Sequence, residues 1–345
     1  MNNITSTSPG KTILFGEHFV VYGYSSLIFA INKKLKIRIT FEDSYKNKIR
    51  IFSNLGFDAE IDNSKITVSN NLSTNLTIVK NLNKIIGYLM NSHKDNIYND
   101  NHNQDLTIYI NSEIPIGGGL GSSSAFCVSL IGAFYYGLNK KTYKKFICEK
   151  SIEAERIINH NTSGVDCSIC TFGGLGVYNR MSGFKKLRID IHDLPFLIIN
   201  SGISHDTFEM IAKVKKIHDN DHKLFSFLCK EYERIYNYSI HSLKSKNLEK
   251  VGVLMNENHS ILKKLSISNS NIDKIVNICQ AGGTFGTKIT GSGGGGCVLS
   301  LIDKNEKTLV SRLLKSLDEL NLDYFFVSPE SDGFKLEKTP NFNTM

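Results

Sequence analysis

The run Pro115-Ile116-Gly117-Gly118-Gly119-Leu120-Gly121-Ser122-Ser123-Ser124-Ala125 puts four glycines in five positions ahead of three serines and an apolar helical stretch, Phe126 to Tyr136. Glycines let the backbone fold around an object with few side chains in the way. A helix N-terminus adds unpaired N–H donors and a partial positive charge, which favour an anion. Phosphate suits such a nest best. A turn that merely caps a buried helix needs only one glycine and one serine. The pattern is neither of the common phosphate motifs. A dinucleotide fingerprint needs glycine at its sixth position, where this chain has Ser122 counted from Gly117 and Ser124 counted from Gly119. Gly10-Lys11-Thr12 ends like a P-loop, but that motif's first glycine falls on Thr5. The triplet also stands too near the start of the chain to follow a full strand.

A phosphate nest binds but does not react. Transfer chemistry also needs a metal ligand, a group that orients or deprotonates the acceptor, and a cation to offset charge. The helical stretch Ile147 to Asn159 carries Glu149, Glu153 and Glu155. Ile147, Ala154 and Ile158 share one face, Glu155 sits at its edge, and Glu153 points away. Glu155 is either a surface glutamate or a carboxylate looking into a cleft, where its oxygens can hold a divalent ion. Next comes Asn161-Thr162-Ser163-Gly164-Val165-Asp166. Ser163 can cap a helix and Gly164 permits tight approach. Asp166 then falls in the first turn, at the positive end of the dipole, as a candidate base or as a helix stabiliser. Lys11 follows Pro9-Gly10, which would turn the chain into a strand, with Glu17-His18 further along the same edge. It is either a strand-end lysine in solvent or a charge pointed into a site. Gly291-Ser292-Gly293-Gly294-Gly295-Gly296 has one side chain in six positions, which implies close approach of a ligand or another backbone. Packing on the first glycine loop across a cleft is the most economical account.

The elements that must hold these residues follow from periodicity. Thr12 to Phe19 and Leu35 to Phe41 read as strands, with Ile49 to Phe52 and Ile66 to Val68 weaker. Lys34, Lys36 and Arg38 alternate with Leu35, Ile37 and Ile39, the solvated face of a strand. Leu76, Val79, Ile86 and Met90 mark a helix. Asn91 to Gln104, rich in Asn, Asp and His, reads as a loop. Leu106 to Ile110 is a strand entering the glycine loop. Lys141 to Asn159 and Gly164 to Thr171 are helical, and Leu175 to Asn179 and Lys186 to Ile191 extended. From Phe196 the chain begins again: strand Phe196 to Asn200, then helices near Thr207 to Ile217, Leu224 to Lys244 and Leu248 to Leu265. Strands at Thr287 to Thr290 and Cys297 to Ile302, a helix at Thr308 to Leu320 and a strand at Tyr324 to Ser328 complete an α+β second half. The expected boundary lies near Asp193, giving domains 1–192 and 193–345.

Composition bounds the partners. With 345 residues the chain is long enough for two cores. At 41% hydrophobic and 21% charged residues it reads as soluble and globular. No segment approaches the roughly 18 apolar residues of a membrane helix, and Met1 to Ser8 is no signal segment, so a cytoplasmic location is the default. The seven cysteines are scattered. Cys167-Ser168-Ile169-Cys170 lacks a second ligand pair for zinc, and small packing residues are the plainer account. The net charge of +8 is dispersed and lacks an arginine-rich or aromatic-interleaved patch for nucleic acid.

Taken in order, these pieces resemble the GHMP small-molecule kinases from end to end. The segment Pro9-Gly10-Lys11-Thr12-Ile13-Leu14-Phe15-Gly16-Glu17-His18-Phe19-Val20-Val21-Tyr22-Gly23 is similar to the mevalonate kinase branch, as are Ser163-Gly164-Val165-Asp166 with Thr171-Phe172-Gly173-Gly174, and Lys288-Ile289-Thr290-Gly291-Ser292-Gly293-Gly294-Gly295-Gly296-Cys297. The resemblance implies a two-domain α+β fold: an N-terminal domain like ribosomal protein S5 domain 2, a ferredoxin-like C-terminal domain, and ATP in the cleft between them. By motif, Gly117, Gly118, Gly119, Leu120, Gly121, Ser122 and Ser123 would wrap the phosphates, and Ser123 and Glu155 would bind Mg2+. Asp166 would face the acceptor hydroxyl, and Lys11 would touch both. Glu17, His18 and Thr207 would contact the substrate. Three positions depart from the pattern: His205 where a basic residue is expected, Thr162 where a proline is expected, and Ser124 where an alanine is expected. The implied reaction is ATP-dependent phosphorylation of mevalonate at its primary hydroxyl. The rivals are phosphomevalonate or mevalonate's tertiary hydroxyl as acceptor, and a binding protein that lost the chemistry. No nucleic acid or membrane partner is implied. The oligomeric state stays open, a homodimer being one option.

Overall fold

The computed structural model describes residues 2–44, 48–62, 65–69, 73–91, 104–139, 141–159, 162–191, 194–203 and 206–337. A large sheet is organised around two long antiparallel strands, β1 (Asn2–Phe15) and β2 (Ser26–Asp43). In β2 the expected alternation holds: Leu35, Ile37 and Ile39 are buried while Lys36 and Arg38 face out. Lys34 and Lys36 pair there with Glu330 and Glu337 at 2.7 and 2.6 Å. The strand holding Lys11 differs from expectation at both ends. It stops at Phe15, before a short 3-10 turn over Phe19–Tyr22. It starts ten residues earlier than Thr12, because Ser6 is fully buried and its Oγ donates to the Ser129 carbonyl at 2.7 Å. Hydroxyls that find partners can enter a core, so a polar stretch became a strand. Gly10-Lys11-Thr12 therefore lies inside a full strand. Pro9-Gly10 makes no turn but a bulge, where the register against β2 shifts, and a bulge tolerates a residue that cannot donate to the ladder.

The rest of the first half fills out this sheet. Strands β3 (Ile49–Ser53), β4 (Asp58–Asp62), β5 (Lys65–Val68) and β6 (Gln104–Ser112) extend it in the order β2-β6-β3-β4-β5, with β3 and β6 parallel. β7 (Leu175–Asn179) pairs with β2 and with β8 (Gly183–Lys186). The extended stretch expected over Lys186 to Ile191 is displaced: the β7–β8 hairpin turns before Gly183, so the strand ends where it was expected to start. Of the loop expected over 91–104, only the end residues are described. Helices α1 (Ser73–Asn91), α2 (Ser122–Asn139), α3 (Lys144–Ile158) and α4 (Val165–Phe172) complete this half. α2 lies on β1 and β2 and also against α3 and α4. Its nearly continuous apolar sequence is buried on most sides. Cys167 and Cys170 are fully buried free thiols in α4, with burial pushing both well up, as packing residues would be.

The second half holds an antiparallel sheet in the order β10-β11-β9-β12, from β9 (Phe196–Asn200), β10 (Gly286–Ile289), β11 (Cys297–Leu301) and β12 (Tyr324–Val327). Helices α5 (Thr207–Asn220), α6 (His222–Lys244), α7 (Leu248–Lys264) and α9 (Lys307–Asp318) match expectation closely. Helix α8 (Ser270–Ala281) was missed, although Ile272, Ile275, Val276 and Cys279 share a buried face and Asn269 caps the Ile272 N–H. The last strand, β13 (Lys335–Glu337), returns to the first sheet beside β1. Among the described residues no helix is long and apolar enough to cross a membrane.

Two features of this half give testable consequences. Helix α7 crosses β10 at Gly252 and Gly286, and a β-carbon on Gly252 would sit 2.2 Å from the Phe285 carbonyl. Alanine favours a helix interior over glycine by about 1 kcal/mol, but overpacking costs about 1–3 kcal/mol. Backbone cannot rotate aside as a side chain can, so the clash wins. Gly252→Ala is expected to lower stability by about 2 kcal/mol in urea unfolding; a gain in stability would refute the tight crossing. His259, buried on α7 with Nε2 3.4 Å from Asp273, is held down by desolvation to about 4. Between pH 6.5 and 4 the unfolded chain takes a proton here that the folded chain refuses. Stability therefore falls with pH across that window, by on the order of 3 kcal/mol from this group. Comparing urea midpoints at pH 7 and 4.5 should show His259→Gln losing less stability than the parent.

Candidate active site

Lys11 is anchored before its charge is used. Its backbone N–H donates to the Leu120 carbonyl at 2.9 Å, tying β1 to the glycine loop. Its stem passes over Gly121, where a β-carbon would lie 2.8 Å from Lys11 Cγ and where φ is +78°. Only glycine meets both demands. The side chain is 4% exposed, and Nζ ends 3.0 Å from Asp166 Oδ2. Asp166 stands in the first turn of α4, as expected. The cap ahead of it is Gly164 in a left-handed conformation, with Ser163 making only a long contact to the Val165 N–H. Serine was the expected cap, but the chain enters α4 with φ +84° at position 164, which glycine meets more readily.

The glycine loop leads into α2 at Ser122, and the first helical bond runs from the Ala125 N–H to the Gly121 carbonyl. The N–H groups of Ser122, Ser123 and Ser124 precede that bond and lie at the positive helix end. The second glycine loop joins β10 to β11 and faces the first: a β-carbon on Gly119 would be 3.7 Å from Gly291 Cα. Between the halves lies a cleft of about 560 Å³. Its walls include Lys11, His18, Gly117, Gly119, Leu120, Gly121, Ser122, Ser123, Asp166, Thr207 and Ser292. An apolar flank comes from Ile78, Leu82 and Ile85 of α1 with Ile116, and Asn81 stands among them.

Glu155 is not in that wall. It is 4% exposed and has its carboxylate in a ring of donors: Ser124 Oγ to Oε1, then Thr162 Oγ1 at 2.6 Å and Cys167 Sγ at 3.4 Å to Oε2. Burial pushes its carboxyl up, and the charge of Asp166 adds to this. The opposing help comes from hydrogen bonds, and among the described residues no cation pairs with it. Ser124 and Thr162, two departures noted in the sequence, are therefore the groups that hold Glu155; Thr162 is more than a turn residue. Among the described residues no cluster of three or more His, Cys, Asp or Glu could form a metal cage. A magnesium ion does not need one, since it keeps several waters and takes phosphate oxygens with one or two carboxylates. Glu155 and Asp166, two carboxylates that repel each other, fit such an ion, and Ser123 lines the same cleft as Asp166.

His18 adopts φ +61°, an uncommon conformation for a non-glycine residue. Its Nε2 donates to the Ser292 carbonyl at 2.7 Å, which leaves Nδ1 as an acceptor, and burial holds its pKa down. A neutral ring with one free acceptor suits a hydroxyl rather than a carboxylate. Thr207 opens α5, with Oγ1 3.2 Å from Ser292 Oγ. Glu17 borders the cleft, but its side chain has no exposed surface and is ion-paired with Lys288. The expected substrate contact is thus engaged in the interior. Lys288 was missed as a functional candidate, although a lysine between Thr287 and Ile289 in a buried strand gives the same signal that singled out Lys11. His205 lies outside the described residues.

The profile of the GHMP kinases N-terminal domain matches residues 80–174, and that of the GHMP kinases C-terminal domain matches residues 239–318. Curated relatives run nearly the full length. The mevalonate kinase of Archaeoglobus fulgidus is 30% identical over 333 residues, covering 96% of this chain and 99% of its own. That of Pyrococcus furiosus is 28% identical over 316 residues, covering 90% and 92%. The solved mevalonate kinase of Methanococcus jannaschii superposes with a TM-score of 0.78 at 28% identity, covering 95% of this chain and 99% of that one. With both halves recognised and enzymes of one kind aligned from end to end, the chain belongs to the GHMP kinases, in the branch of the mevalonate kinases.

Proposed function

We propose that this enzyme transfers the γ-phosphoryl group of ATP to the primary hydroxyl of mevalonate, giving 5-phosphomevalonate and ADP, in the cytoplasm. The observation that carries this reading is the Lys11–Asp166 pair, 3.0 Å apart in a cleft that also receives the N-terminus of α2. The relatives' shared name supplies the acceptor. In this reading the glycine loop and the N–H groups of Ser122 and Ser123 hold the phosphates. Asp166 accepts the proton of the acceptor hydroxyl, and the Lys11 ammonium offsets the charge that develops on its oxygen. His18 and Thr207 orient the acceptor, with His18 Nδ1 receiving a hydroxyl proton. Ser123 and Glu155 would hold Mg2+, with Glu155 exchanging one of its present donors for the ion. Magnesium supplies charge neutralisation across the phosphates. A coupled ADP assay with mevalonate at millimolar concentration is the direct test, and no turnover there would overturn the reading.

The two carboxylates should separate kinetically. General base assistance is worth about 10²–10⁴-fold, so Asp166→Asn should cut turnover at least that far. Its ATP affinity by calorimetry should barely change, because the nest is built from backbone on another segment. Retention of more than about a tenth of the parent rate would remove Asp166 from the catalytic role.

Glu155→Gln keeps the shape of the side chain but removes the charge offered to the metal. Its magnesium requirement for half-maximal rate should rise by about 10-fold or more. A variant with slowed turnover and an unchanged magnesium curve would show that Glu155 acts without the ion.

A further inference from the structure

Lys288 and Glu17 form a fully buried ion pair that joins the two halves of the chain, with both side chains at 0% exposure. Lys288 comes from β10 and Glu17 from the turn after β1. The ammonium is saturated. Besides Glu17 it donates to the Ile289 carbonyl at 2.6 Å and reaches the Ile13 carbonyl at 3.5 Å, which uses its three N–H groups. The carboxylate is not saturated, since Glu17 Oε2 is buried with no hydrogen-bond partner. The charges that act on Glu17 are Lys288 first and then Lys11. Tyr232 of α6 also feels it, but its hydroxyl is given to the Ser25 carbonyl. On the far side of Lys288, His259 of α7 senses the same ammonium.

Two lysines and two carboxylates therefore stand in sequence: Asp166 against Lys11, and Glu17 against Lys288. We propose that Lys288 is a positioning residue for phosphoryl transfer: by neutralising Glu17 from across the cleft, it leaves the Lys11 ammonium to Asp166 and the acceptor hydroxyl. Without Lys288, neither Glu17 oxygen has a side-chain partner, and among the described residues the remaining cation that shares its cleft is Lys11. The catalytic pair is then shared between two carboxylates. This inference rests on the role given to Lys11 above.

The test compares Lys288→Met with the double variant Glu17→Gln/Lys288→Met, after circular dichroism has checked the fold. The double variant removes both charges while keeping the volumes, so it avoids an uncompensated buried carboxylate. Lys288→Met should lose about 10-fold or more in kcat with the KM for ATP within about 3-fold, and the double variant should return to within about 5-fold of the parent kcat. Loss of packing alone would not be repaired by a second substitution in the same place. A double variant no faster than Lys288→Met, or a Lys288→Met variant with the parent rate, overturns the proposal. If Lys288→Met does not fold, the double variant decides alone by the same 5-fold criterion. Parent enzyme that ignores mevalonate would overturn the proposed acceptor instead, and the variants are then compared on the acceptor that the parent does turn over.

Discussion

A lysine buried next to a carboxylate is useful only if its position is fixed at both ends, and in this fold the rest of the site is built around fixing Lys11. Its backbone is bonded to the glycine loop, its stem is confined by Gly121, and its ammonium meets Asp166. Two of these constraints tie the glycine loop to β1 and the third ties α4 to it, so the loop, the strand and α4 share one frame. A buried ion pair adds little net stability once desolvation is counted. Its value here is placement, because a cation aimed beforehand at developing charge needs no rearrangement during reaction.

Beside the cleft, the second half attaches to the same few residues. Thr290 bonds to Thr12 at 2.9 Å and to both backbone groups of Ile13 at 3.2 Å, Lys288 takes Glu17, and Ser292 takes His18. Every one of these contacts lands between positions 12 and 18, just beyond Lys11. These contacts couple the orientation of the second half to the path of β1. The second glycine run is held by close neighbours of its own half: a β-carbon would lie 2.4 Å from the Ile267 carbonyl at Gly293 and 2.5 Å from the Met210 sulfur at Gly294. The coupling to β1 accounts for the positive φ of His18, which is a local strain that surrounding bonds must over-determine.

What was legible in the sequence was what local pattern encodes. The glycine runs, the alternation along Leu35 to Ile39 and the position of Asp166 ahead of an apolar helix each depend on neighbours a few residues away. What was not legible depends on distant partners. The polar residues from Asn2 to Ser8 look like a tail until Ser129 is supplied as an acceptor. Lys288 and Glu17 are 271 positions apart, and each alone looked like a different kind of residue, one unremarked and the other a substrate contact. Thr162 stood only as a departure from an expected proline, because its hydroxyl has meaning only beside Glu155. The resemblance to a kinase family supplied the roles of Ser123 and Thr207, which composition alone did not.

The two site carboxylates illustrate how environment divides chemistry between identical groups. Asp166 is 29% exposed and has a lysine as its partner. Its charge is compensated, and one side remains open toward the cleft, as a group that must meet a substrate hydroxyl requires. Glu155 is buried among three neutral donors, with a like charge nearby and no ion pair among the described residues. Hydrogen bonds stabilise a carboxylate but do not cancel it, and burial in low dielectric penalises the charge that remains. Two things relieve such a site: a proton or a cation. In the role proposed for Glu155, a divalent ion would supply that cation. Asp166, already paired, gains nothing comparable from the metal. That asymmetry, set by Lys11 on one side and by Ser124 and Thr162 on the other, is what supports the roles proposed for them, Asp166 toward the acceptor and Glu155 toward the ion.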